Sequence, residues 1–177
     1  IIEEQIISRD HTENLLMKNI QSIKIIKKKK KIIKVKGKSY LNPLNLNIGG
    51  DPSSAAFFVA LTLLNKNSTL KIKNVGLNPT RTGFYEILKK QKVKINFKNI
   101  IKDNNEIRGD ILIKSSKLKP MNVPASLYPR TTDEYLILFV LASLTNGVST
   151  FKGISELKGK ESSRAYEMKK ILNQIGI

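Results

Sequence analysis

Apolar positions along this chain alternate between helical and strand-like spacing, and most stretches open on a recognisable polar signal. Ser8-Arg9-Asp10-His11-Thr12-Glu13 reads as a helix start. Ser8 or Asp10 can cap free backbone N–H groups, Glu13 suits the positive end of the helix dipole, and Leu15, Leu16 and Ile20 supply an apolar face. Ser22 to Val35 alternates around a lysine run and predicts a two-stranded hairpin, with Lys27 to Lys31 as its solvated end. Leu44, Leu46 and Ile48 then recur at period two up to Gly49-Gly50, where small residues permit close backbone approach and suit a crossing between domains.

Asp51-Pro52 is a strong helix start, cap followed by proline at the first helical position. Ala55 to Leu64 is almost wholly apolar, so this helix should be buried on most sides. A strand over Ser68 to Val75, a turn over Asn78 to Gly83 and a helix over Phe84 to Gln91 follow. Strands at Val93 to Phe97 and Asp110 to Lys114 flank a polar loop, Lys102 to Arg108. Then come a buried helix over Thr132 to Leu144, a strand over Ser149 to Ile154, a turn over Glu156 to Ser163 and a helix over Arg164 to Ile175. A shift of about 81 residues superposes Phe58-Val59 on Phe139-Val140, Ser68-Thr69 on Ser149-Thr150 and Tyr85-Glu86 on Tyr166-Glu167. A register shared across helix, strand and second helix implies duplicated units, with Ser8 to Val35 as the second half of an earlier copy.

Composition narrows the function. The 177 residues are 40% hydrophobic and 26% charged, which fits a folded globular chain. No apolar run is long enough to span a membrane. Zero cysteines exclude disulfides, thiolate nucleophiles and cysteine-ligated zinc in this segment. The net charge of +18 invites a nucleic-acid reading, but the excess is lysine spread along the whole chain, without an aromatic-rich strand motif. The chain opens on Ile rather than Met, and both ends read as interrupted patterns, so a piece of a longer protein is expected.

Two charged clusters carry the chemistry. Pro129-Arg130-Thr131-Thr132-Asp133-Glu134 precedes an apolar helix, and Lys160-Glu161-Ser162-Ser163-Arg164 enters the last one. Carboxylates beside cations can move protons while holding phosphate or carboxylate, as an enzyme for small anionic substrates requires. These segments, together with Ser8 to Glu13, Gly50 to Phe58 and Asn74 to Gly83, resemble the SRDHTE, GDxSSAAFF, NVGLNPTRTG, PRxxDE and KExxR motifs of the EPSP synthase family, in that order.

The resemblance implies an α/β (α+β) enolpyruvyl transferase fold: two domains of repeated βαβαββ units forming an inside-out barrel, here incomplete. Residues 1–48 would end one domain and 49–177 would form part of the second. It implies a cytoplasmic enzyme, monomeric at full length, that needs no metal or organic cofactor. That enzyme transfers the enolpyruvyl group of phosphoenolpyruvate to the 5-hydroxyl of shikimate 3-phosphate. It binds neither nucleic acid nor membrane.

By the same resemblance, Asp133 takes the hydroxyl proton and Glu161 donates a proton to the phosphoenolpyruvate methylene. Arg9, Ser8 and Lys160 contact shikimate 3-phosphate, and Arg164 holds phosphoenolpyruvate. The bland alternatives are a helix cap for Asp133, a first-turn dipole contact for Glu161 and surface ion pairs for Lys160 and Arg164. Asp51, Ser53, Ser54, Asn78 and Arg81 read as structural, and His11 as a solvated imidazole. The chain departs from the family pattern at Leu157-Lys158-Gly159, where Leu-Arg-Val is usual, and at Ser163, where Asp is usual. The family's N-terminal lysine, Ser-Gln segment and C-terminal Arg and Lys have no counterpart in these residues. Three rival readings stand beside this one. They are the enolpyruvyl transferase acting on UDP-N-acetylglucosamine, an RNA 3′-phosphate cyclase of the same repeated architecture, and a basic nucleic-acid-binding module.

Overall fold

A buried lysine organises the first 35 residues. The computed structural model describes residues 1–19, 23–27, 30–158 and 163–177. Strand β1 (Ile2–Glu4) leads into helix α1 (His11–Asn19), followed by β2 (Ile23–Lys27) and β3 (Lys31–Val35). β2 and β3 make the expected antiparallel hairpin, and β1 joins the free edge of β3. The lysine run is not a uniformly solvated end. Lys30 is exposed and pairs with Glu3 at 3.3 Å, whereas Lys31 is buried between Glu4 (2.8 Å) and Glu13 (2.6 Å). Lys28 and Lys29 lie outside the described residues. Burial works against the Lys31 ammonium, but its bonds to Glu13 and Glu4 outweigh that and hold its pKa above the ordinary value. One cation therefore ties β1, β3 and α1 together.

The period-two residues Leu44, Leu46 and Ile48 form no regular strand and stay exposed. The segment ends in a single parallel bridge, Gly50 to Val75, where the Gly50 N–H donates to the Asn74 carbonyl at 2.7 Å. A Cβ on Gly49 would meet the Gly76 nitrogen at 2.8 Å, so the crossing needs glycine to pass this close.

Helix α2 (Pro52–Leu64) starts as expected. The Asp51 carboxylate accepts from the Ser54 N–H at 2.8 Å and from its hydroxyl at 2.9 Å. Next come β4 (Thr69–Gly76), a 3₁₀ turn (Pro79–Arg81), α3 (Gly83–Lys90), β5 (Ile95–Asp103) and β6 (Glu106–Lys114). The sheet has order β4-β6-β5, all antiparallel. The polar stretch expected as a loop is mostly strand: β5 and β6 meet at Asn104-Asn105, both with positive φ (49° and 62°), a two-residue turn that asparagine tolerates well. Bulges in β4 and β5 flank Asp110 of β6, whose carboxylate accepts from the Asn74 N–H, the Asn99 amide and Lys71. The Lys71 bond, with those from Asn74 and Asn99, pulls the Asp110 pKa down to about 2.

The chain then repeats itself in shortened form. Strand β7 (Asn122–Val123), a 3₁₀ turn (Ala125–Arg130), helix α4 (Tyr135–Ser143) and strand β8 (Thr150–Phe151) precede a 3₁₀ turn (Ser155–Lys158) and helix α5 (Arg164–Gln174). β7 and β8 pair in parallel around α4. One core joins both copies through Ala56, Val59, Phe84, Leu88, Ile111 and Leu138, each with no exposed surface. Burying a side chain such as Leu88 or Ile111 contributes about 1.5–3 kcal/mol. Helix α2 is less covered than expected. Ala55, Ala56, Val59, Ala60 and Leu63 face this core, while Phe57, Phe58, Leu61 and Leu64 lie on the other side and are exposed. An all-apolar sequence gives no way to tell which side a neighbour covers.

Candidate active site

Three charged side chains from distant parts of the chain meet at one place. Arg9 lies between β1 and α1, in a segment held where the Ser8 hydroxyl donates to Glu4, itself bound to buried Lys31. Asp133 lies in the turn before α4. Arg164 opens α5. Arg9 Nη2 donates to Asp133 Oδ2, and Arg164 Nη1 lies 4.0 Å from Asp133 Oδ1. The three side chains are between 31% and 41% exposed, open enough for a ligand to reach. Ile6, Ser8, Arg9, Tyr128, Thr132 and Asp133 line an open concavity of about 480 Å³.

The Asp133 turn is braced from behind. Arg130 Nε donates to the Pro79 carbonyl at 2.8 Å and its Nη1 pairs with Glu86 at 2.8 Å, clamping the turn to α3. The Thr132 hydroxyl donates to the Tyr128 carbonyl at 2.9 Å, and the Glu134 N–H donates to the Thr131 carbonyl at 3.0 Å. A Cβ on Gly83 would lie 2.7 Å from the Arg130 carbonyl oxygen and collide with the Thr131 side chain, so the glycine lets α3 start directly under this turn.

Glu134 points inward, 3% exposed. It accepts from the Ser53 hydroxyl, which accepts from Arg81 Nη2 at 2.8 Å, and Arg81 also binds Asp51 at 2.8 Å. Burial raises the Glu134 pKa, and the charge of Asp133 adds to that, although Ser53 and Arg81 pull the other way. Burial would raise Asp51 too, but its hydrogen bonds from Ser54 prevail and lower it.

A second polar junction joins the first region to the second. The Asp10 carboxylate accepts from the Asn78 amide at 2.8 Å and from the Thr80 hydroxyl at 3.3 Å. Glu106 accepts from the Asn14 amide at 3.0 Å, and His11 Nδ1 lies 3.0 Å from it. His11 is therefore paired rather than merely solvated. These contacts border a cavity of about 340 Å³ beside the Gly49-Gly50 crossing.

Of the residues singled out from sequence, Ser8, Arg9, Asp133 and Arg164 come together. Lys160 and Glu161 lie outside the described residues. Asp51, Ser53, Ser54, Asn78 and Arg81 hold helix starts and turns, as read. Sequence reasoning gave no role to Glu134, Glu106 or Lys31. A signal for Glu134 existed: it stands 81 residues after its partner Ser53, the repeat offset itself. Ser163 occupies the position before α5 where the family usually has Asp, and its side chain makes no capping bond. Among the described residues no group of three or more His, Asp or Glu side chains is placed to hold a metal ion, and no helix is long and apolar enough to cross a membrane.

Comparison with known proteins places the chain among its relatives. The family model for EPSP synthase (3-phosphoshikimate 1-carboxyvinyltransferase) matches residues 1–177. The 3-phosphoshikimate 1-carboxyvinyltransferase of Zymomonas mobilis is 38% identical over 98% of this chain and 39% of its own length. The enzyme of that name from Petrotoga mobilis is 38% identical over 96% of this chain and 39% of its length. An EPSP synthase structure from Acinetobacter baumannii superposes with a TM-score of 0.82 at 34% identity, covering 94% of this chain and 37% of that one. The chain thus spans about two fifths of these relatives, with the mixed helix-and-strand fold of an enolpyruvyl transferase in part. Its five ordered motifs, its fold and its family match agree: the chain belongs to the EPSP synthase family.

Proposed function

We propose that the whole protein bearing this chain transfers the enolpyruvyl group of phosphoenolpyruvate to the 5-hydroxyl of shikimate 3-phosphate. The observation that carries this reading is the convergence of Arg9 and Arg164 on Asp133, at the rim of an open concavity that Arg9 and Asp133 line. The hydroxyl oxygen adds to C2 of phosphoenolpyruvate while a proton reaches its methylene carbon. The tetrahedral adduct then loses that proton from carbon and releases phosphate. Asp133 accepts the hydroxyl proton. Glu161 serves the methylene carbon, and Lys160 the phosphate of shikimate 3-phosphate, as the family resemblance implies.

Before substrate arrives, Arg9 occupies one oxygen of Asp133. The phosphate of shikimate 3-phosphate offers Arg9 a stronger bidentate partner. Binding would draw Arg9 off Asp133 and leave that oxygen to the 5-hydroxyl, while Arg164 turns to the phosphoenolpyruvate carboxylate. The acceptor thereby switches on its own base. Residues 1–48 and 49–177 belong on this reading to two domains whose facing surfaces supply Arg9 and Asp133. The protein acts as a cytoplasmic monomer.

The test is phosphate release by the full-length protein given both substrates. Turnover with shikimate 3-phosphate and none with UDP-N-acetylglucosamine is expected, and the reverse would replace this reading with the rival transferase. The 177-residue chain by itself should not turn over. The chain spans about two fifths of the relatives' length, and by the family resemblance further phosphate contacts lie outside these residues.

A further inference from the structure

Glu134 follows the proposed base, yet faces the interior. Its carboxyl does not line the concavity; it accepts from the Ser53 hydroxyl, at the start of α2. That hydroxyl is oriented because it also accepts from Arg81, and Arg81 is fixed by Asp51, the cap of the same helix. Tyr85 of α3 adds a bond to the Pro52 carbonyl at 2.6 Å. The start of α4 is thus tied to the start of α2 and to the Pro79–Arg81 turn through a directional chain of hydrogen bonds. A leucine could fill the same space without the cost of burying a carboxyl. Apolar packing would leave the turn free to slide, because it has no direction.

We propose that Glu134, acting through Ser53 and Arg81, is a positioning residue that sets the reach of Asp133 towards Arg9, Arg164 and the substrate hydroxyl. This rests on the reaction proposed above. Displacing a base by about 1 Å lowers turnover about 100-fold, whereas ground-state contacts through the arginines change little. Among the described residues, Arg9 and Arg164 from neighbouring elements approach the Asp133 carboxylate, and Glu134 lies behind it on its own turn.

The experiment compares Glu134→Ala, Glu134→Gln and Ser53→Ala in the full-length protein, by steady-state kinetics and thermal melting. Glu134→Ala should lower kcat by about 30-fold with KM for shikimate 3-phosphate within about three-fold of native, the pattern of a transition-state loss. Glu134→Gln keeps an acceptor for Ser53 and should stay within about three-fold of native kcat. Ser53→Ala should lower kcat by about 10-fold, and adding it to Glu134→Ala should cost less than about two-fold more, since both break one chain. A folded Glu134→Ala protein turning over within about two-fold of native, or a Gln variant as slow as the Ala variant, would overturn the inference. Should Glu134→Ala not fold, Ser53→Ala decides by the same kcat criterion.

A readout independent of turnover separates this from the proposed reaction. If the native protein transfers nothing, that reaction fails. The titration midpoint of the Asp133 carboxyl, followed by carbon NMR in native and Ser53→Ala protein, still reads the anchor. A displaced midpoint supports it, and coincident midpoints overturn it.

Discussion

The two repeat copies use the same scaffold positions for opposite purposes. At an offset of 81, Pro52 corresponds to Asp133, Ser53 to Glu134, and Gly83 to Arg164. In the first copy these residues build. Pro52 opens α2 and is buried, and Gly83 opens α3 and is buried under the Thr131 turn. In the second copy Glu134 is buried against Ser53, but Asp133 and Arg164 are half-exposed and approach each other, with Arg9 joining Asp133 from outside both copies. Helix starts concentrate free N–H groups and place their first residues at the rim of a fold. A duplicated unit therefore offers each position twice, and here the first copy buries at two of them what the second copy leaves half-exposed as the proposed reactive groups.

Substitutions that exchange these roles test the comparison. The largest effect is expected at the working position. Asp133→Ala in the full-length protein should lower turnover by about three orders of magnitude, as removal of a general base does, with melting temperature little changed. Near-normal turnover would remove Asp133 from the mechanism. The paired positions Gly83 and Arg164 should split cleanly. Gly83→Ala forces a methyl against the Arg130 carbonyl and should destabilise by about 1–3 kcal/mol in denaturant melts. Arg164→Ala should leave stability within about 0.5 kcal/mol while raising KM for phosphoenolpyruvate. Equal stability losses would erase the distinction between supporting and working copies.

Caps give a smaller contrast. Asp51→Ala removes both the α2 cap and a partner of Arg81, and should cost about 1–2 kcal/mol. Ser163→Asp supplies α5 with the side-chain cap it lacks and should add about 0.5 kcal/mol. The smallest effect concerns acid stability. The folded pKa of Asp110 is about 2, below the ordinary 3.8, so its contribution is present above pH 3.8 and disappears as pH falls through about 2. Asp110→Asn should flatten the loss of melting temperature between those values; an unchanged slope would mean that Asp110 does not bind its bulge partners as described.

How much of this was legible depended on whether the signal was local. Asp51-Pro52 announced α2, and the 81-residue offset placed α5 at Arg164 because Tyr85-Glu86 and Tyr166-Glu167 mark the same turn of α3 and α5. The motifs supplied the candidate residues, and folding brought Ser8, Arg9, Asp133 and Arg164 among them together. The hairpin at Asn104-Asn105 was missed because charged residues along β5 and β6 resemble loop composition, although strand pairing accepts them on an exposed face. Lys31 was hidden within a lysine run, since only the three-dimensional approach of Glu4 and Glu13 separates it from its neighbours. The uncovered side of α2 could not be read at all, because an apolar helix does not state which of its faces meets a partner. Glu134 stood in the charged cluster before α4 without a role of its own, and its bond to Ser53 became evident only where the two repeat copies pack against each other.

The central claim is that Asp133 stands between substrate hydroxyl and arginines in a single anion site. A crystal structure of the full-length protein with shikimate 3-phosphate tests it most directly. The account predicts the 5-hydroxyl within about 3.2 Å of an Asp133 oxygen, with Arg9 moved onto the ligand. A ligand seated elsewhere, with Arg9 still closed on Asp133, would contradict it.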